Sequence, residues 1–328
     1  MKAALLIEPR KLVIKDVPKP EPGLKDVLIR VLLGGICGSD HTLYHGGFGV
    51  PLPVIPGHEA VGRIESIGDG VTGLKTGQRV TVQPNVACGS CRLCRAGQKN
   101  LCPSKVRLGV DKNGVFAEFA AVPADYVWPV PDGIEDDVAV FTEPLAVTVH
   151  AMKIWEPRKG ERTLIFGAGI MGLLALQLAV LRGAEVAACD LAETRLAMAE
   201  RLGASRTIGP GDSFESYYNS FDVIYETSGA PAALGQVIRL AAPKGKIVIL
   251  SLPGKDHPVP TDMIVRKELQ IMGSLIYTNE FPESMDILKS GKIKTDLLNT
   301  GKLSLNELDN ALRDFASPER MKMLVEIK

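Results

Sequence analysis

The chain has 328 residues, 45% hydrophobic and 23% charged, with 38 basic groups against 38 acidic ones. That length holds about two domains of ~150 residues and buries a core without disulfide support, and the composition excludes a disordered chain or a coiled coil. The charge balance leaves no global case for nucleic acid or an anionic membrane, and six cysteines in this length make no disulfide scaffold.

In chain order, the opening run Met1 to Ile7 is too short for a secretory signal and is broken by Glu8, so a cytoplasmic protein is expected. Val27–Leu33, Ala60–Ile67 and Arg79–Val82 are short β-branched runs between Gly and Pro clusters, and they predict a β-rich first part. From Thr163 the rhythm changes to strands alternating with helices. The pairs are Thr163–Phe166 with Ile170–Arg182, Glu185–Cys189 with Glu193–Leu202, and Val223–Tyr225 with Ala230–Leu240; Ile247–Leu250 then follows as a strand. Such alternation predicts βαβ units and a parallel, doubly wound sheet. The stretch from Thr163 to Leu181 lacks charge and mimics a membrane span, but Gly167, Gly169, Gly172 and Gln177 interrupt it. A buried strand, a glycine turn and a core helix explain it better. Phe281–Ser290 and Ser304–Asp314 read as helices and Met323–Ile327 as a strand; periodicity alone does not say which domain they join.

Three motifs carry chemistry. Cys88, Cys91 and Cys94 stand at C-x-x-C-x-x-C spacing, with Cys102 shortly after. Four thiolates on one loop close a tetrahedral zinc shell with no open position, which makes a site structural. Redox or unpaired cysteines are one alternative. A nucleic-acid zinc module is another, since Arg92, Arg95, Lys99, Lys105 and Arg107 surround the loop, but a neutral chain argues against it. The second motif is scattered: Cys37 in Gly-Gly-Ile-Cys-Gly-Ser-Asp, His58 and Glu59 in Pro-Gly-His-Glu, and Glu143 before Pro144. Mixed sulfur, nitrogen and oxygen donors suit a catalytic zinc that keeps one exchangeable position. Each residue alone is weak, since a lone Cys or His is most often a core residue.

The third motif, Gly167-Ala-Gly169-Ile170-Met171-Gly172, follows a predicted strand and opens a helix, as a pyrophosphate-binding turn requires. Asp190 ends the next strand, eighteen residues after Gly172, where a carboxylate accepts from ribose hydroxyls and repels a 2′-phosphate. NAD is therefore expected over NADP. Arg195 stands near the same adenosine end or on a helix surface.

Together these residues resemble the zinc-dependent medium-chain alcohol dehydrogenases over essentially the whole chain, and most of all their polyol (sorbitol) and threonine dehydrogenase branch. The resemblance rests on Cys37-Gly-Ser39-Asp40, Gly57-His58-Glu59, the four-cysteine loop, Glu143-Pro-Leu145 with His150, the glycine turn, Asp190 and Arg195. It implies a GroES-like catalytic domain over 1–143 and 275–328 and a Rossmann domain over 144–274. It implies two zinc ions per chain: a catalytic one at Cys37 and His58 with Glu59 or Glu143 as the carboxylate ligand, and a structural one at Cys88, Cys91, Cys94 and Cys102. Ser39 would pass the substrate proton toward solvent. Gly167, Gly169, Ile170, Met171, Gly172, Asp190 and Arg195 would hold NAD, with the backbone around Ser251, Leu252 and Leu275 near the nicotinamide. Hydride transfer from a secondary alcohol (polyol, sugar acid or related) is expected to yield a ketone; threonine-type oxidation or a non-catalytic relative are the alternatives. The expected partners are a small alcohol or ketone and further copies of the chain, a tetramer before a dimer, with neither nucleic acid nor membrane. Two segments depart from the polyol pattern: Thr42 and Leu43 replace a His and an aromatic, and Leu275-Ile276-Tyr277 lacks the substrate-holding Arg.

Overall fold

The computed structural model describes residues 1–252, 254 and 256–328. The chain divides into two compact units. The first comprises Met1–Pro144, Phe281–Gly291 and Thr295–Lys328; the second comprises Leu145–Glu280 and Lys292–Lys294.

The first unit is built from β1 (Lys2–Glu8), β2 (Lys11–Asp16), β3 (Asp26–Gly35), β4 (Glu59–Ile67), β5 (Arg79–Val82), β6 (Asn85–Val86), β7 (Val106–Arg107), β8 (Phe119–Pro123) and β9 (Val127–Pro129). Its short helices α1 (Gly38–Tyr44), α2 (Arg92–Arg95) and α3 (Asp136–Ala139) sit in the connections. Helix α4 (Thr142–Ile154) leads out of this unit.

The second unit alternates β10 (Arg162–Phe166), α5 (Ile170–Leu181), β11 (Glu185–Cys189), α6 (Glu193–Arg201), β12 (Arg206–Ile208), β13 (Phe221–Glu226), α7 (Ala233–Leu240), β14 (Ala241–Ile249), α8 (Thr261–Lys267) and β15 (Gln270–Gly273). The chain closes with α9 (Phe281–Lys289), β16 (Asn299–Ser304), α10 (Leu308–Arg313) and β17 (Lys322–Glu326), all within the first unit.

The seven-stranded sheet of the first unit runs β16-β17-β3-β4-β5-β9, with β8 also on β3. Strand β3 is flanked by β17, β4 and β8, and both of its faces are largely covered. That is why Val27–Leu33 reads as a near-continuous apolar run rather than an alternating one. Ile29, Val31, Ile64, Val80 and Phe116 form the middle of the core.

The second unit is a six-stranded parallel sheet in the order β12-β11-β10-β13-β14-β15. The order reverses between β10 and β13, and ligands of open parallel sheets bind at the carboxyl ends of strands beside such a reversal. The charge-free stretch 163–181 is β10 followed by α5, whose residues Gly172–Ala179 are all buried. Twelve helical residues span about 18 Å, against ~30 Å of bilayer hydrocarbon. Among the described residues no helix is long and apolar enough to cross a membrane.

Candidate active site

Strand register assembles the first cluster. In the β3–β4 ladder Gly35 pairs with Glu59, so Cys37, two residues beyond, meets His58 and Glu59 at the start of β4. On the other side of β3, Leu324 of β17 pairs with Gly35, which brings Lys322 to the same end. Position 35 must be glycine, because a Cβ there would stand 2.1 Å from Glu59 Oε2. Cys37, His58 and Glu59 each offer one ligand atom, and these atoms lie within 4.8 Å of one another. Glu143, at the start of α4, is also buried, and its charge acts on Lys322. The three donor atoms that converge, however, belong to Cys37, His58 and Glu59.

Backbone and carboxylates then hold these groups. Asp40, 1% exposed, accepts from the N–H of Cys37 (2.9 Å) and of Gly57 (3.2 Å) and so ties the two loops together. Its Oδ1 also lies 3.3 Å from Nδ1 of His58, close enough for charge attraction but out of line for a hydrogen bond. Burial pushes the His58 imidazole down, yet the charge of Asp40 and then Cys37 outweighs it and holds His58 well above its ordinary pKa. Surroundings that favour positive charge on this ring also favour a cation at Nε2, so the donor set fits a zinc ion.

Ser39 Oγ stands 3.3 Å from Nε2. Glu59, fully buried, receives Lys322 Nζ on both oxygens at 2.7 Å, and the same ammonium donates to the Ile36 carbonyl at 3.1 Å. The nearby side chains that could replace the missing relay imidazole are engaged elsewhere. His41 bonds the Leu312 carbonyl and stacks on Phe315, Tyr44 bonds Asp309, and the ring of His45 reaches the His41 carbonyl. Thr42 is exposed and donates to the Gly38 carbonyl.

The second cluster is local in sequence. Cys88, Cys91, Cys94 and Cys102 place their sulfurs within 4.8 Å of one another. The sulfurs of Cys88 and Cys94 are 3.9 Å apart. Two thiolates at ~2.3 Å from a tetrahedral zinc stand about 3.8 Å apart, so the spacing fits the ion. Backbone N–H groups already point at sulfur, Cys94 N at Cys91 Sγ and Cys88 N at Cys102 Sγ, both at 3.4 Å. Taken without a cation, the four thiols split. Hydrogen bonding, led by the Ser90 N–H, draws Cys88 down to about 6, while burial pushes Cys94 up to about 12. A divalent ion removes that conflict by letting all four ionise.

The third cluster lines the carboxyl ends of the parallel sheet. Gly167 has φ +103 at the turn leaving β10, and a Cβ at Gly172 would stand 1.8 Å from the Gly167 carbonyl oxygen, so helix and turn close only on glycine. A Cβ at Gly169 would meet nothing within 4 Å, so the N-terminus of the twelve-residue α5 is open to a close-approaching group. Ile170 and Met171 open the helix there. Asp190, just past β11, accepts from Ala168 N (2.8 Å) and Ala192 N (2.9 Å), which aims a fixed carboxylate beside the turn. Arg195 Nη1 lies 3.7 Å from it, and its Nε is buried without a hydrogen-bond partner. Ser251 and Leu252 follow β14, with Leu252 82% exposed, and Leu275 follows β15. The open helix end, the close-packed glycines and the placed acid fit a dinucleotide.

Residues 23–132 match the alcohol dehydrogenase GroES-like domain, and residues 171–290 match the zinc-binding dehydrogenase domain. A sorbitol dehydrogenase of Bacillus subtilis is 34% identical over 326 residues, covering 95% of this chain and 92% of that protein. The chain belongs to the zinc-binding medium-chain alcohol dehydrogenases. Two solved dehydrogenase structures superpose with TM-scores of 0.95. One, a zinc-binding dehydrogenase of Sinorhizobium meliloti 1021 bound to NADP, is 33% identical and covers 99% of this chain and 98% of its own. The other, an alcohol dehydrogenase of Escherichia coli CFT073 complexed with NADH, is 32% identical and covers 100% and 99%.

This dehydrogenase is therefore an oxidoreductase with a GroES-like and a Rossmann fold. Two buried charged residues of the metal cluster are given no role by sequence reasoning. Asp40 had a signal, its place in Cys-Gly-Ser-Asp. Lys322 had none, because its partner Glu59 becomes visible only through strand register.

Proposed function

We propose that this dehydrogenase oxidises a secondary alcohol (polyol, sugar acid or related) to a ketone and passes the hydride to NAD. The convergence of Cys37, His58 and Glu59, from loops brought together by sheet register, carries the reading. In this reading Cys37, His58 and Glu59 supply the converging donors for the catalytic zinc, with Glu143 as the further carboxylate of the set, and the four-cysteine loop holds the structural zinc. Zinc, when bound, supplies the Lewis acidity that brings a hydroxyl's pKa toward neutrality. Ser39, beside Nε2 of His58, is the group placed to receive the substrate proton, and with Thr42 in place of an imidazole the proton leaves without a histidine relay. Asp40 and Lys322 fix the donors by holding the His58 loop and Glu59.

On the cofactor side, the turn Gly167–Gly172 receives the pyrophosphate, Asp190 and Arg195 the adenosine ribose, and the segments at Ser251, Leu252 and Leu275 the nicotinamide end. The Asp190 carboxylate disfavours a 2′-phosphate, which supports NAD although the Sinorhizobium relative was solved with NADP. Without an arginine at Leu275-Ile276-Tyr277, a substrate less polar than sorbitol is favoured. The chain is expected to work as a homotetramer, which light scattering tests.

The deciding experiment is a panel of polyols, aldonates, simple secondary alcohols and threonine with NAD or NADP, read as absorbance of the reduced cofactor. Turnover of at least one non-amino alcohol with NAD is expected, and its loss in Cys37→Ala. Activity retained by Cys37→Ala refutes the metal's role, and exclusive turnover of threonine refutes the substrate class.

A further inference from the structure

Glu226 closes β13 at the carboxyl edge of the parallel sheet, across the order reversal from the glycine turn. It is 3% exposed. One carboxylate oxygen accepts from Ser228 N (2.8 Å), Ser228 Oγ (2.6 Å) and Gly229 N (3.0 Å), and the other receives the Ser251 hydroxyl. Ser228 Oγ in turn accepts from Ala230 N, so its proton points to Glu226. Every partner is neutral, and among the described residues no Lys, Arg or His forms an ion pair with this carboxylate. Buried acids almost always have a cationic partner or a metal, because desolvation is otherwise uncompensated.

Its surroundings are the loops assigned above to the cofactor. Thr227 Oγ1 donates to the Gly167 carbonyl at 2.7 Å, a Cβ on Gly167 would stand 2.8 Å from Ser228 N, and Ser251 is a direct partner. The carboxylate thus ties the Ser228–Gly229 turn, which packs on Gly167, to the loop after β14.

We propose that Glu226 sets the charge of the nicotinamide end of the site, holding the cationic oxidised ring more tightly than the neutral reduced one. The proposal rests on the dinucleotide reading given under Proposed function. Between NAD and NADH the ring loses one positive charge, and a fixed anion in a poorly screened interior acts on only one of the two forms. Hydrogen bonds from neutral donors orient the carboxylate without cancelling its charge, so its field reaches the bound ring. Glu226 makes no contact with the substrate in this account; it acts by charge.

The test separates charge from scaffold. Glu226→Gln keeps the shape: the amide oxygen still accepts from Ser228 and Gly229, and the amide N–H₂ donates to Ser251 Oγ. NADH affinity is measured by fluorescence and NAD affinity by calorimetry on wild type, Glu226→Gln and Glu226→Asp. In Glu226→Gln, NADH should bind within about twofold of wild type. The ratio Kd(NAD)/Kd(NADH) should rise roughly tenfold, the effect of a unit charge across about 10 Å of partly screened protein. Glu226→Asp keeps the charge on a shorter arm, so both constants should weaken together and the ratio should stay near wild type. An unchanged ratio in Glu226→Gln, or an Asp variant whose ratio rises tenfold, overturns the proposal even if Gln fails to fold and only Asp can be read. Wild type that binds neither form overturns the cofactor reading instead.

Discussion

Replacing Lys322 by Met should destabilise the first unit by roughly 3–5 kcal/mol, the range for removing one partner of a buried ion pair. The pair is closed to water: Lys322 is 1% exposed, Glu59 is fully buried, and both carboxylate oxygens lie 2.7 Å from the ammonium. Met fills much of the same volume, so the loss is mainly that of an unpaired anion rather than of a cavity. At about 2–4 °C per kcal/mol for a unit of this size, the apparent melting temperature should fall by roughly 6–20 °C. Burial pushes the Lys322 ammonium down, but the charge of Glu59, then of Cys37, outweighs it, and its pKa is raised. A raised folded-state pKa means that the pair's contribution is fully present below the unfolded value, ~10.4, and is lost only as pH rises beyond it. Lys322 therefore stays charged from pH 6 to pH 8, and a smaller penalty at pH 6 would report protonation of the Glu59 carboxylate left unpaired in the variant. The assay is thermal and urea unfolding of zinc-loaded protein, in a double-mutant cycle with Glu59→Gln. The double variant should recover at least half of the loss, since it removes both members of the pair and leaves neither charge without the other. A single variant melting within about 2 °C of wild type, or strictly additive losses, refutes the claim that the two side chains compensate one another.

Cys94→Ser should lower the melting temperature and reduce bound zinc from two ions per chain to one, by dye titration, with NADH affinity within about twofold; undiminished zinc would refute the four-thiolate site. Asp190→Ala should weaken NAD and strengthen NADP binding, read by fluorescence of the reduced forms, and an unchanged preference would count against the ribose contact. Glu280 supplies a pH test within the second unit. Burial pushes its carboxyl up, but the hydrogen bond from His150, the Thr278 N–H and the charges of His150 and Lys153 outweigh it and hold it down to about 2. A lowered pKa contributes stability that is present above the ordinary value near 4.3 and is lost as pH falls toward 2. Glu280→Gln should thus melt below wild type at pH 6 and converge with it near pH 2; curves that stay parallel down to pH 2 would dismiss the ionic role.

The legible parts of this chain are those whose physics is local. The four-cysteine loop is a metal site within fifteen residues, and the glycine turn between a strand and a helix is complete within six. The βαβ rhythm from β10 to β14 shows in sequence because the strands other than the short β12 are largely buried apolar runs, and the helices between them are apolar on one face or, in α5, almost all round. Helix α4 is less legible: Thr142–Ile154 carries Pro144 in its first turn, is rich in Val and Thr, and is buried almost throughout, so no amphipathic stripe announces it. The hairpin of β1 and β2 escapes for another reason, since its strands form a ladder only with each other and meet the rest of the unit through isolated bridges at Ala117 and Val54. The metal cluster shows the limit most sharply. Cys37, His58 and Glu59 could be named from their neighbours, but nothing near residue 322 marks a lysine as their counter-ion. What joins them is the pleat. Gly35 lies opposite both Glu59 and Leu324, so a single strand dictates which side chains from 263 residues apart share one buried corner. A register slip of one residue in β17 would turn Lys322 to the other face of the sheet and leave Glu59 unpaired. The fidelity of that ladder, more than any single ligand, is therefore what the charge balance of the cluster depends on.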